Sequence, residues 1–177
     1  VIFPDVPIRK PKIYGDEDVY ILFTGDWQIG NKYTFYELFE RFLNFLNAKT
    51  DNEKLNEIAR KIGYVLVVGD VVDGVGVYPE QKDELIYKTF EEQYEKFEEY
   101  VLKIPEYIKV VIIPGNHDIP RLAEPQPELP RSLLKQSYEM KNILYLSNPT
   151  YIQVHNSINV LMYHGYVLDW LVSDIPI

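Results

Sequence analysis

Four short segments of this chain have the residue types to converge and hold divalent cations. They are Gly25-Asp26-Trp27-Gln28, Gly69-Asp70-Val71-Val72-Asp73-Gly74, Gly115-Asn116-His117-Asp118 and Tyr163-His164-Gly165. Each follows an apolar run, turns at a glycine or tight bend, and offers a carboxylate, amide or imidazole. That donor mixture suits Mn, Fe or Zn better than Ca or Mg alone. The glycines let the backbone turn sharply, so side chains can converge and a phosphate can approach. Taken singly, each segment has a plainer reading. A Gly-Asp after a strand is more often a turn, Asn116 alone would be a turn residue, and His164 alone would be a satisfied structural histidine. Together and in order, spread over most of the chain, they are hard to obtain by chance. His155 has no partner motif and reads as a surface residue.

These side chains need rigid elements to position them. Val19–Thr24, Tyr64–Val68 and Lys109–Ile113 are short apolar runs that read as buried strands ending at the polar segments. A helix is expected from Thr34, where Thr34 and Glu37 have capping-box spacing and Phe35, Leu38, Phe42 and Phe45 recur at helical intervals. A second helix is expected around 53–61. A long third one is expected over Gln81–Lys103, with Ile86, Phe90, Tyr94, Phe97 and Val101 buried and Glu91, Glu92, Glu95, Glu98 and Glu99 wet. Residues 119–130 carry Pro120, Pro125, Pro127 and Pro130 and read as a loop without regular structure. A helix near 131–140, a strand at Ile143–Leu146 and a hairpin of Tyr151–Val154 with Ile158–Tyr163 complete the order. Strands alternating with helices imply an α/β domain, with its site where strands end. Residues 1–18, with Pro4, Pro7 and Pro11, read as a linker or edge segment, and 19–177 as one domain.

Composition bounds the partners. The chain has 177 residues, 46% of them hydrophobic, which suits one domain with a real core. There is no cysteine, so disulfides and thiolate metal sites are excluded, in keeping with a cytoplasmic protein. No apolar run approaches the ~18 residues of a membrane span. The net charge is -9, whereas a protein that grips nucleic acid unaided is usually basic. If DNA is the substrate, a partner or bound cations must supply the positive field; the plainer reading is an acidic solvated surface.

The order of the four motifs resembles the calcineurin-like metallophosphoesterase superfamily: D-x-H, G-D-x-x-D-G, G-N-H-D/E, a His-Gly, then G-H-x-H. The resemblance implies an α/β/β/α four-layer fold, a β-sandwich with flanking helices, and two divalent cations, Mn first, with Fe or Zn as alternatives. It implies that Asp26 and Gln28 serve the first metal, Asp70 bridges both, and Asn116 and His164 serve the second. His117 would face the leaving group and Asp73 would orient it. Within that superfamily, Asp70–Pro79, Gly115–Asp118, Arg121-Leu-Ala-Glu-Pro-Gln-Pro127, Tyr163–Gly165 and Leu168-Asp169 resemble the small subunit of archaeal family D DNA polymerase. That family implies a 3′–5′ proofreading exonuclease acting on a primer 3′ end beside a large catalytic subunit, with the sliding clamp as a further partner. Arg121 could contact DNA phosphate or form a surface salt bridge. Trp27 could stack on a base, but core packing is favoured; Tyr78 could line the cleft.

Two departures from the pattern stand out. Gln28 occupies the histidine position of the first motif. No G-H-x-H follows His164, so the domain is expected to be truncated at its C-terminus, with one ligand per metal missing. Gln28 slightly favours a competing reading, a non-catalytic polymerase scaffold that keeps the fold. A free-standing phosphoesterase for nucleotides or phosphoproteins is a third reading, which the Glu-Pro-Gln-Pro loop opposes.

Overall fold

In the computed structural model, residues 18–155 and 158–174 are described; the expected linker falls almost wholly outside them. The apolar runs become four parallel strands, β1 (Tyr20–Thr24), β2 (Ile62–Val68), β3 (Lys109–Ile113) and β4 (Ile143–Tyr145), in spatial order β1-β2-β3-β4. Both faces of this sheet are covered, which explains why the strands read as continuous apolar runs rather than alternating ones. Leu22, Val65, Val67, Val110 and Ile112 point to one side, into a large core shared with the helices. Ile21, Leu66, Val68, Val111 and Ile113 point to the other, into a smaller core.

That smaller core is closed by a hairpin of β5 (Thr150–Val154) and β6 (Ile158–Met162), through Ile152, Val160 and Met162. Two sheets thus stack face to face. Helices α1 (Tyr36–Leu46), α2 (Glu53–Arg60) and α3 (Phe90–Val101) follow the strands as crossovers, and α4 (Tyr166–Asp174), which the sequence reading did not foresee, follows the hairpin. Each fully buried Val, Leu or Ile contributes roughly 1.5–3 kcal/mol, so the two cores dominate the stability. Trp27 packs edge-on against Phe39, Phe42 and Phe97 and is buried, as the packing reading expected.

Several local expectations fail for identifiable reasons. Thr34 does not cap α1, because its hydroxyl donates to the Gln28 carbonyl at 2.7 Å. Phe35 stands at the N-cap without a side-chain bond. The buried face of α1 runs through Leu43 and Leu46, while Phe35 and Leu38 are exposed. The real capping box is Thr89 with Glu92, and it starts α3 at Phe90, nine residues later than expected from Gln81. Residues 81–83 form only a 3₁₀ turn and Ile86 is exposed. Glu98, expected in water, is buried and accepts from the Ser137 amide and hydroxyl at 2.8 and 2.7 Å. The expected helix at 131–140 shrinks to a 3₁₀ turn, Ser137–Glu139.

Candidate metal centre

Register puts the polar segments side by side. Thr24 pairs with Val67, and Val68 with Ile113, so β1, β2 and β3 end at one level and their next residues share one edge of the sheet. The connecting loops keep pairing beyond the strands: Asp26 N–H donates to Gly69 O at 3.0 Å, Gln28 N–H to Asp70 O at 3.0 Å and Asp73 N–H to Ile29 O at 3.0 Å. This pairing holds Asp26, Gln28 and Asp70 at φ of 50, 44 and 49°, a left-handed conformation uncommon for residues with a Cβ. Strain of this kind persists only where the surroundings enforce it, and it concentrates at functional sites.

The result is a cluster in which Asp26, Asp70 and His164 each offer a ligand atom, all within 4.8 Å of one another. The surrounding backbone is drawn in as far as atoms allow. A Cβ on Gly115 would lie 2.1 Å from Asp70 Oδ1, and one on Gly69 would lie 2.3 Å from His164 Nδ1. His164 Nδ1 faces the Val68 carbonyl at 3.0 Å, an acceptor only, so Nδ1 carries the hydrogen and Nε2 is the atom turned to the cluster. Nε2 meets Asn116 Oδ1 at 2.9 Å and Asp70 Oδ1 at 3.4 Å. Oxygen acceptors from two segments therefore converge on one nitrogen, an arrangement that calls for a positive charge. Without a metal, the proton supplies it: burial opposes protonation, but Asp70 and the Val68 carbonyl outweigh it and push His164 up to about 9. Burial and then the Asp70 charge raise the Asp26 carboxyl above its usual range. A divalent cation relieves both strains, and the donors present, carboxylate, amide oxygen and imidazole, fit one.

His117 sits beside this cluster rather than in it. Its N–H donates to Asp70 Oδ1 at 2.9 Å, and its Nε2 lies 4.0 Å from Asp70 Oδ2. Its Nδ1 meets Asp73 at 2.7 Å, through the main-chain carbonyl and not the carboxylate the sequence reading had in mind. The Asp73 carboxylate instead accepts from Gln81 Nε2 at 2.8 Å and Asn31 Nδ2 at 3.3 Å, fully buried. The Tyr78 ring lies tilted to the His117 ring, with centroids 6.2 Å apart. Gln28 contributes its backbone to the loop pairing and stands next to Asp26 and Trp27. Arg121 points neither to an acid nor into the cluster: its guanidinium donates to the carbonyls of Ala123 and Pro125. His155 is partly buried, and its N–H donates to the Tyr64 hydroxyl at 3.1 Å.

The sequence of chain segments matches one family over nearly the whole length. The Calcineurin-like phosphoesterase family profile matches residues 19–174. This chain belongs to the calcineurin-like phosphoesterase family. Among curated proteins, the domain is similar to the DNA polymerase II small subunits of Methanocaldococcus jannaschii (40% identical over 99% of this chain and 29% of the relative) and Archaeoglobus fulgidus (37%, 99% and 35%). It is likewise similar to the small subunit of Pyrococcus horikoshii (38%, 98% and 28%). The chain thus spans about a third of the length of these relatives. Among the described residues, no helix of the phosphoesterase domain is long and apolar enough to cross a membrane.

Three buried residues that organise the site were given no role by the sequence reading. Asp118 accepts from the amides of Gly115, Val71 and Val72 at 2.8, 3.3 and 3.3 Å and from the Tyr94 hydroxyl at 3.1 Å, tying two ligand loops and α3 together. Burial pushes its carboxyl up to about 7, against the pull of these donors. Gln126 Nε2 donates to Gly115 O at 2.9 Å, Asn148 Nδ2 donates to Gln126 Oε1 at 2.7 Å, and His164 N–H donates to Asn148 Oδ1 at 3.0 Å. The Glu-Pro-Gln-Pro loop is therefore a polar relay between the Asn116 and His164 segments. Its only sequence signal was a glutamine between prolines.

Proposed function

We propose that this domain is the metal-dependent 3′–5′ DNA exonuclease, a proofreading module, of the small subunit of an archaeal replicative DNA polymerase. The observation that carries the reading is the convergence of Asp26, Asp70, Asn116 and His164, with the imidazole held in the ligand tautomer by Val68. The names of the relatives supply the polymerase context and a large catalytic subunit as partner. In this reading Asp26 and Gln28 would hold one cation, Asn116 and His164 would hold a second, and Asp70 would serve both. Divalent ions, Mn first, supply positive charge to the phosphodiester and acidify the attacking water.

The remaining work falls to this chain's own side chains. A water oxygen bonds to phosphorus, and the bond to the 3′ oxygen of the penultimate nucleotide breaks. His117 Nε2 gives that oxygen its proton, while the Asp73 carbonyl on Nδ1 fixes the ring. Arg121 is assigned to its loop rather than to DNA, because its guanidinium is engaged on carbonyls. Gln28 in place of an imidazole favours the second reading, a scaffold subunit without turnover.

Asp70→Ala and Asp70→Asn in the full-length protein separate the two. The asparagine variant keeps an acceptor for the His117 amide and guards against misfolding. Loss of Mn²⁺-dependent release of mismatched 3′ nucleotides in both, by at least ~10²-fold, is expected, with the Asp70→Asn melting curve in EDTA unchanged. An Asp70→Asn protein that cleaves at the wild-type rate would remove the proposed bridge, and a wild-type protein that binds Mn²⁺ without cleaving would leave the scaffold.

A further inference from the structure

Beside the metal cluster lies an apolar cleft of about 560 Å³, within the usual size of a small-ligand pocket, ~300–1,000 Å³. Asp26 of the cluster lines it together with Trp27 and Gln28, and Tyr33, Phe35 and Leu38 form an exposed rim. The rim residues are 66, 68 and 47% exposed, so core packing does not account for them. Phe35 is the sharpest case. It occupies the N-cap of α1, where Ser, Thr, Asp or Asn would satisfy the helix's free amides. The neighbouring Thr34, which could have capped, is turned away to the Gln28 carbonyl.

We propose that this cleft receives the nucleobase of the 3′-terminal nucleotide, stacked on Phe35 and Tyr33, with its 5′-phosphate on the Asp26 side. The proposal rests on the exonuclease reading and adds the substrate subsite. Two features select a base over other occupants. The lining includes no Lys or Arg, and the nearby Lys32 ammonium, 5.0 Å from the centre of the Tyr33 ring, is bonded to the Asp83 carbonyl, so the cleft is not built for a phosphate chain. A flat apolar rim sharing its wall with a phosphodiester site suits an aromatic group attached to that phosphate.

Three side-chain donors of the cleft are already engaged on the protein. Trp27 Nε1 donates to Thr24 Oγ1, Asn31 Nδ2 to Asp73 and Tyr78, and Thr34 Oγ1 to the Gln28 carbonyl. Few directed donors remain to tell one base from another. Recognition by stacking tolerates all four bases, and a proofreading site must accept any terminal error.

The test uses full-length protein and calorimetric titration with Mn²⁺ present. The probes are the four deoxynucleoside 5′-monophosphates and the base-free 2-deoxyribose 5-phosphate. Wild type should bind the four nucleotides within about threefold of one another and the base-free sugar phosphate about tenfold more weakly. Phe35→Ala should erase that difference, with Mn²⁺ affinity unchanged, and Phe35→Trp should restore it. A base-dependent gain that survives in Phe35→Ala would overturn the proposal, as would its absence from wild type. Base-dependent binding without cleavage of primer ends would defeat the exonuclease reading and leave the cleft standing. Cleavage with no base-dependent gain would do the reverse.

Discussion

The residue that does most for the site's geometry ligates nothing. Asp118 is buried and collects three amides and a hydroxyl, joining the loop after β2 to the loop after β3. All four partners are donors, so a carboxylate satisfies them and an amide nitrogen cannot. Asp118→Asn should set an N–H₂ against N–H groups and destabilise the fold by ~1–3 kcal/mol. Chemical denaturation at constant m-value measures this; a variant as stable as wild type would show that the donors find other partners.

At the scale of elements, strands place the ligands and a loop locks them. β1, β2 and β3 end in register, which brings Asp26, Asp70 and Asn116 to one edge, but His164 arrives from the second sheet by a separate path. Gln126 and Asn148 close that gap through Gly115 and the His164 amide, and the Tyr163 hydroxyl adds a bond to Glu124 at 2.7 Å. Gln126→Ala or Asn148→Ala should cost ~1–3 kcal/mol, because each strands a buried partner. Both should also weaken Mn²⁺ binding about tenfold, as loss of outer hydrogen bonds to metal ligands does. The two losses should be non-additive in the double variant, since either one breaks the same chain of bonds. Full additivity in a double-mutant cycle on Mn²⁺ affinity would mean that the relay does not act as a unit.

For the molecule as a whole, charge sets the terms. A net charge of -9 repels a polyanion, and the acidic cluster at the strand ends repels itself. Divalent cations answer both, so metal, fold and substrate are linked. Mn²⁺ at about a hundred times its dissociation constant should stabilise the protein by ~2.7 kcal/mol over the chelated form. Thermal melts with EDTA and with Mn²⁺ should show that gap in wild type and its collapse in Asp70→Asn. An equal gap in both proteins would place the bound metal elsewhere.

Much of this was legible in the residues alone. β3 was expected over its observed span, β1 and β2 to within a residue or two, and the four polar segments stood out, because apolar runs and glycine turns are local signals. Helix starts were less legible: that of α2 falls at the expected 53, but the Thr89 box that starts α3 went unread, and Thr34 has the right spacing yet meets the Gln28 carbonyl first. Tertiary structure alone decided that Asp73 meets His117 by its carbonyl, that Arg121 holds its own loop, and that Glu98 is buried. Each of those outcomes depends on which acceptor lies within 3 Å or so after folding. Sequence spacing carries the chemistry a residue can do; the packed chain chooses the partner it does it with.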